Sequence, residues 1–172
     1  RALARLGVVF QQQALDLDLS VRANLLFHAD LHGMPRPLAR TRIAAQLEAL
    51  GLAESESTRV RNLSGGQRRK VELARALLHA PRILLMDEAT VGLDPASRQQ
   101  LIEAVHLRCR THGLAVLWAT HLIDEVHRAA RFVLLQHGEI RFDGALEEFP
   151  GRAPGESLSA ALLRALAVTA PQ

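Results

Sequence analysis

Several residue types are scarce in this sequence, and each scarcity closes off a class of protein. There is one cysteine, Cys109, in 172 residues. No internal disulfide can form, and a lone thiol without a resolving partner fits a reducing compartment. Flanked by Arg108 and Arg110 in a helical stretch, Cys109 reads as a structural thiol. Aromatic residues make up 3% of the chain, tyrosine is absent, and Lys70 is the only lysine among 21 basic residues. The formal net charge is only +3. A nucleic-acid surface needs a clustered basic stripe with stacking aromatics. Here the arginines are scattered among carboxylates, which argues against DNA or RNA as a partner. No apolar run approaches the roughly 20 residues of a membrane span. The length suits one domain with a substantial core.

What is present is organised around Leu63-Ser64-Gly65-Gly66-Gln67. Two adjacent glycines leave the backbone bare, so its amides can approach an anion. A helix running from Arg68 to His79 is expected to follow. The first amides of a helix lack internal partners, and the dipole there favours negative charge. Ser64 adds a hydroxyl and Gln67 an amide, so the stretch reads as a phosphate-facing helix start. The weaker alternative is a Gly-Gly turn before an ordinary helix. Val71, Ala74, Leu77 and Leu78 form the apolar face of that helix, leaving Arg68, Arg69, Glu72 and Arg75 elsewhere.

Leu6 to Phe10 reads as a buried strand that ends at Gln11. Taken alone, Gln11 is a polar loop residue. Ser20 is placed to cap a helix through about His32, broken by Gly33 to Pro37. A second helix from Leu38 to Leu50 puts Ile43, Leu47 and Leu50 on one face, and Ala53 to Asn62 reads as a polar connector. Ile83 to Glu88 is a continuous apolar run ending in two carboxylates. Such a run predicts a strand buried on both faces of a parallel sheet. Asp87 and Glu88 then sit at its carboxyl end, where open α/β sheets place ligands. Gly92-Leu93-Asp94-Pro95 is a turn, and Pro95 begins a helix to His112. Its expected contacts are Leu101, Ile102, Val105 and Leu107, and Gly113 ends it. Leu114 to Ala119 is another strand, followed by Thr120-His121. A short helix, Ile123 to Ala130, precedes a hairpin of Phe132–Gln136 and Glu139–Phe142 around His137-Gly138. A loop over 151–155 and an apolar-faced helix over 158–168 complete the chain.

In order, Gln11, LSGGQ at 63–67, ILLMDE at 83–88, GLD at 92–94 and His121 resemble the ATP-binding subunits of ABC transporters. They match that family's Q-loop, signature, Walker B, D-loop and switch histidine. The likeness extends from about Leu6 to Gly144. It implies an α/β fold: the C-terminal part of a P-loop NTPase (RecA-like), with a mostly parallel sheet and an inserted α-helical subdomain. The implied division is core strand and Q-loop at 1–19, helical subdomain with the signature at 20–80, RecA-like core at 81–144 and a tail at 145–172.

The resemblance also implies roles. Asp87 holds Mg²⁺ through water. Glu88 is the general base on the attacking water. His121 contacts the γ-phosphate, and Gln11 senses Mg²⁺ and γ-phosphate. Asp94 couples two ATP sites across a dimer. Ser64, Gly65, Gly66 and Gln67 bind ATP held by the opposite subunit. The implied partners are a transmembrane permease subunit, docked by the helical insert, and a second ATP-binding subunit in a homo- or heterodimer. The implied place is peripheral, at the cytoplasmic face of the inner (plasma) membrane.

One departure stands out. The phosphate loop G-x-x-x-x-G-K-[ST], which precedes the Q-loop in the family, does not occur in these 172 residues. The expectation is a fragment carrying the C-terminal two-thirds of an ATP-hydrolysing exporter subunit. The alternative is a non-hydrolysing half-site that lends only its signature to a partner, or an inactive remnant. Glu88 to Pro95 resembles drug- and polyketide-exporter ATPases. Leu15 to Met34, with Val116 to Val126, also resembles ATPases encoded beside quinoprotein alcohol-oxidation systems.

Overall fold

The computed structural model describes residues 3–126, 128–150 and 160–162. The chain divides into two compact units, Arg1–Ala119 and Thr120–Gln172.

The first unit is built on a parallel sheet of β1 (Leu6–Val9), β2 (Ile83–Asp87) and β3 (Ala115–Ala119), in the order β1-β2-β3. Parallel neighbours need crossovers, and helices supply them. Between β1 and β2 lie α1 (Val21–Leu31), α2 (Arg36–Ala49) and α3 (Gly65–Leu77); between β2 and β3 lies α4 (Pro95–His112). Val9, Leu84 and Met86 on the sheet join Leu25, Ile43, Leu47, Leu73, Leu78 and Leu101 in one buried cluster. Each fully buried aliphatic side chain of this kind contributes about 1.5–3 kcal/mol.

Local chemistry sets the ends of these elements. Ser20 caps α1 by accepting the Ala23 amide at 3.1 Å. The buried Asn24 side chain donates to the Asp16 and Ser20 carbonyls and accepts the Asp16 amide, fixing the loop that enters α1. α2 begins at Arg36, two residues before the expected Leu38, because Pro37 fits the first helical turn, where its missing N–H is not needed. The stretch expected as a polar connector is more ordered than its composition suggests. Val60 is fully buried, and the amides of Val60 and Arg61 donate to the carbonyls of Leu19 and Leu17.

β2 is not buried on both faces. Leu84 and Met86 are buried while Ile83 and Asp87 are exposed, and Leu117 on β3 is 69% exposed. The helices cover one face of the sheet, and the alternation of a strand turns every second residue to the other. Leu107 is also exposed, since α4 buries Leu101, Ile102 and Val105 instead. α4 ends at Gly113 in the left-handed conformation.

The second unit holds α5 (Ile123–Val126) and an antiparallel hairpin of β4 (Phe132–Gln136) and β5 (Glu139–Gly144). His137 and Gly138 both have positive φ, as a two-residue hairpin turn of primed type requires. Phe132, Phe142 and Phe149 pack ring against ring, with centroids 4.8–5.7 Å apart. α5 is a single turn, shorter than the expected helix, and β5 runs two residues further than expected. The loop over 151–155 and most of the helix over 158–168 lie outside the described residues; Ala160, Ala161 and Leu162 are helical.

Candidate functional site

Parallel register brings three of the candidate residues to one sheet edge. Val9 pairs with Met86, so Gln11 and Glu88, each two residues further on, leave β1 and β2 at the same carboxyl edge. Asp87 ends β2 with its side chain exposed, paired across to Ala119. Glu88 is partly buried and has a φ of 47°. Its amide donates to the Ala119 carbonyl at 2.9 Å, and its carbonyl accepts the Val91 amide at 3.2 Å. A non-glycine residue held in this region costs about 1–3 kcal/mol, and such strain clusters at functional sites. The exposed oxygens of Asp87 and Gln11 are hard donors of the kind Mg²⁺ takes.

The LSGGQ stretch is a helix start, and it starts earlier than the sequence suggested. α3 begins at Gly65, not Arg68, so both glycines lie inside its first turn. The reason is a reciprocal capping box. Ser64 Oγ accepts the Gln67 amide at 3.2 Å, and Gln67 Oε1 accepts the Ser64 amide at 2.9 Å. The two side chains expected to reach an anion are therefore engaged with their own backbone. The Ser64 hydroxyl proton and the Gln67 side-chain NH₂ are still available as donors. The amides of Gly65 and Gly66 have no partner within the helix. α3 also stops at Leu77, before the expected His79.

The two glycines differ. Gly65 is exposed, and a Cβ there would have open space around it. Gly66 is buried, and a Cβ there would come within 2.8 Å of Ser97 Cβ. Gly66 thus lets the start of α3 pack against the start of α4. Asp94 caps α4, accepting the Ser97 amide at 2.9 Å. Hydrogen bonds from Ser97 hold the Asp94 carboxyl below its ordinary range. The signature and Asp94 are in this way joined through Ser97.

Residues that the sequence reading set aside hold the loop after β1. Arg69 and Glu72, expected away from the apolar face, are both buried and form an ion pair at 2.6 Å. Arg69 donates to the carbonyls of Phe10 at 2.7 Å and Gln11 at 3.1 Å. Glu72 accepts the Ala14 amide at 2.8 Å, and Arg75 donates to the Ala14 carbonyl at 2.6 Å. The backbone of Gln11 is fixed from the signature helix, while its side chain is exposed. His121 belongs to the second unit and is exposed there. Lys70 donates to Gln100 at 2.8 Å.

A family model described as ABC transporter matches residues 1–91. The chain is 33% identical to the linearmycin resistance ATP-binding protein of Bacillus subtilis over 159 residues, covering 92% of the chain and 51% of that protein. It is 34% identical over 145 residues to an energy-coupling factor transporter ATP-binding protein of Symbiobacterium thermophilum, with coverage of 84% and 50%. It is 38% identical over 145 residues to the Nod factor export ATP-binding protein I of Paraburkholderia xenovorans, with coverage of 84% and 47%. The chain spans about half the length of these curated relatives. Among solved structures, cbiO1 from Clostridium perfringens, described as part of the ABC transporter complex cbiONQ, matches with a TM-score of 0.78. That match covers 97% of the chain and 64% of cbiO1 at 24% identity, so the likeness is one of fold.

Proposed function

The chain belongs to the ABC transporter family, and from that premise we propose that it is part of an ATP-binding and ATP-hydrolysing subunit that powers transport across a membrane. The observation that carries this reading is the strained Glu88, with φ of 47°, directly after Asp87 at the carboxyl edge of the sheet. Strain of that kind aims a carboxylate out of the strand line, as a general base needs.

In this reading Asp87 and Gln11 would hold Mg²⁺. When bound, Mg²⁺ supplies neutralisation of phosphate charge. Glu88 takes a proton from the attacking water. His121 stabilises charge developing on the γ-phosphate. The open amide of Gly65, with Gly66, Ser64 and Gln67, faces ATP held by a second ATP-binding subunit, and Asp94 couples the two sites. Residues 20–80 form the helical subdomain that docks a transmembrane permease, placing the subunit peripherally at the cytoplasmic face of the membrane. Among the described residues no helix is long and apolar enough to cross a membrane. The relatives serve both import and export. Export is the direction supported by the Glu88–Pro95 resemblance and by the Nod factor export relative.

The test uses this segment in a chain that also carries a phosphate loop. Glu88→Gln removes charge and keeps shape, so turnover should vanish while nucleotide binding persists. Retained ATPase activity would rule out Glu88 as the base. The half-site alternative is distinguished in the same assay: there Glu88→Gln has no effect, whereas a bulky residue at Ser64 abolishes a partner's turnover.

A further inference from the structure

Three histidines meet at a place the proposed ATP chemistry does not use. His28 lies on α1, and His32, four residues later, is the C-cap just past its end, about one turn further on. His79 lies two residues past the end of α3. The His32 and His79 rings stack with centroids 4.0 Å apart, and His28 lies 4.6 Å from His32. One ring nitrogen from each of the three falls within 4.8 Å of the others.

The tautomers follow from the hydrogen bonds. His79 Nε2 lies 2.9 Å from the Leu6 carbonyl. A carbonyl only accepts, so Nε2 carries the proton and Nδ1 presents its lone pair. His79 Nδ1 is buried without a hydrogen-bond partner, and so is His28 Nε2. Two buried imidazole nitrogens aimed into one cluster with nothing to bond are costly. Burial pushes the His28 imidazole down to about 4, and His79 is lowered by the same cause, so both are neutral near pH 7.

We propose that His28, His32 and His79 form a binding site for a divalent transition-metal ion of the zinc class. Three imidazole nitrogens suit Zn²⁺, Co²⁺, Ni²⁺ or Cu²⁺ and not Mg²⁺ or Ca²⁺, which take oxygen. A tetrahedral ion with bonds of about 2.0–2.1 Å sets its ligand nitrogens about 3.4 Å apart. Binding at that spacing requires the exposed His32 ring to turn and the His28 and His79 rings to draw closer together. The Leu6 carbonyl serves as the outer partner that orients His79, an arrangement common around ligating histidines. Water fills the fourth position. The ligand set carries no negative charge, and Arg75 and Arg42 lie close enough to oppose positive charge at His28 and His79. Affinity should accordingly be weaker than that of a thiolate site. The bound ion would tie α1, in the helical insert, to the end of α3 and to β1.

The test is titration of the chain with Zn²⁺ alone by calorimetry, and with Co²⁺ by visible absorption. One ion per chain is expected, with the intense absorption of four-coordinate Co²⁺. His28→Ala and His32→Ala should each weaken binding at least tenfold. Zn²⁺ should raise the unfolding midpoint of the wild type but not of His32→Ala. His32 is exposed, so that variant keeps its fold, checked by its midpoint without metal. Mg²⁺ at the same concentration should do nothing. Absence of binding, or equal binding by both variants, which would assign the ion to Cys109 or to histidines elsewhere, overturns the site.

Discussion

Arg69 and Glu72, one helical turn apart on α3, form a buried ion pair at 2.6 Å, and together they hold three backbone groups of the loop after β1. The pair links the helix that begins with the signature to the backbone of Gln11. Removing one partner leaves a buried charge uncompensated, at a cost of about 3–5 kcal/mol. Glu72→Ala is expected to lower stability by that order in urea denaturation. It should also speed hydrogen exchange at the Ala14 amide, which loses its acceptor. Unchanged exchange at Ala14 would mean that the loop is held by other contacts.

The two signature glycines should respond oppositely to the same substitution. Gly66→Ala forces a methyl against Ser97 and is expected to cost about 1–3 kcal/mol as overpacking. Ser97→Gly should restore much of that loss. Gly65→Ala meets open space in a helical position, so it should leave stability unchanged or raise it by up to about 1 kcal/mol. In an assembled transporter the same Gly65→Ala is expected to reduce turnover if, as proposed, the bare amide faces the partner's nucleotide. A Gly65→Ala assembly with full turnover would remove that residue from the in-trans contact.

The strands and most helix ends were legible because each depends on local chemistry. Ser20, Pro95 and Gly113 announce their ends in the sequence. The start of α3 was misplaced by three residues because two glycines disfavour helix. The competing signal, Ser64 followed three residues later by Gln67, is a capping box that could have been read. The burial of Arg69 and Glu72 was not legible. An amphipathic pattern assigns charges to solvent, and only the folded loop supplies the carbonyls and amide that satisfy them. The His28–His32 spacing was visible, but His79 joins them only through the tertiary fold. The exposed face of β2 was missed because a continuous apolar run does not reveal what covers it.

Nucleotide hydrolysis by a polypeptide of these 172 residues should be negligible. No phosphate loop occurs among them, and their one lysine, Lys70, lies on α3 bonded to Gln100. Backbone amides and a lysine normally cradle the phosphates. ATP binding should be weak in equilibrium titration, and a phosphate-release assay should show no Mg²⁺-dependent rate. Measurable Mg²⁺-dependent turnover would require a second way of holding the phosphates.

The cap that Asp94 provides and the coupling role proposed for it can be parted by two substitutions. Its carboxylate caps α4 through the Ser97 amide, and it is proposed to couple paired ATP sites. Asp94→Ala loses the cap, at about 0.5–2 kcal/mol, whereas Asn caps about as well as Asp. Asp94→Asn should therefore keep stability at neutral pH. The folded carboxyl is held below its ordinary value of 3.8 by Ser97. Its charge-linked stabilisation is present above that value and is lost as pH falls through the lower, folded value. Asp94→Asn should flatten that acid limb of the stability curve. If Asp94 also couples the sites, Asp94→Asn should reduce turnover in an assembled dimer with stability intact. Equal turnover in wild type and Asp94→Asn, with loss only in Asp94→Ala, would make Asp94 a helix cap alone.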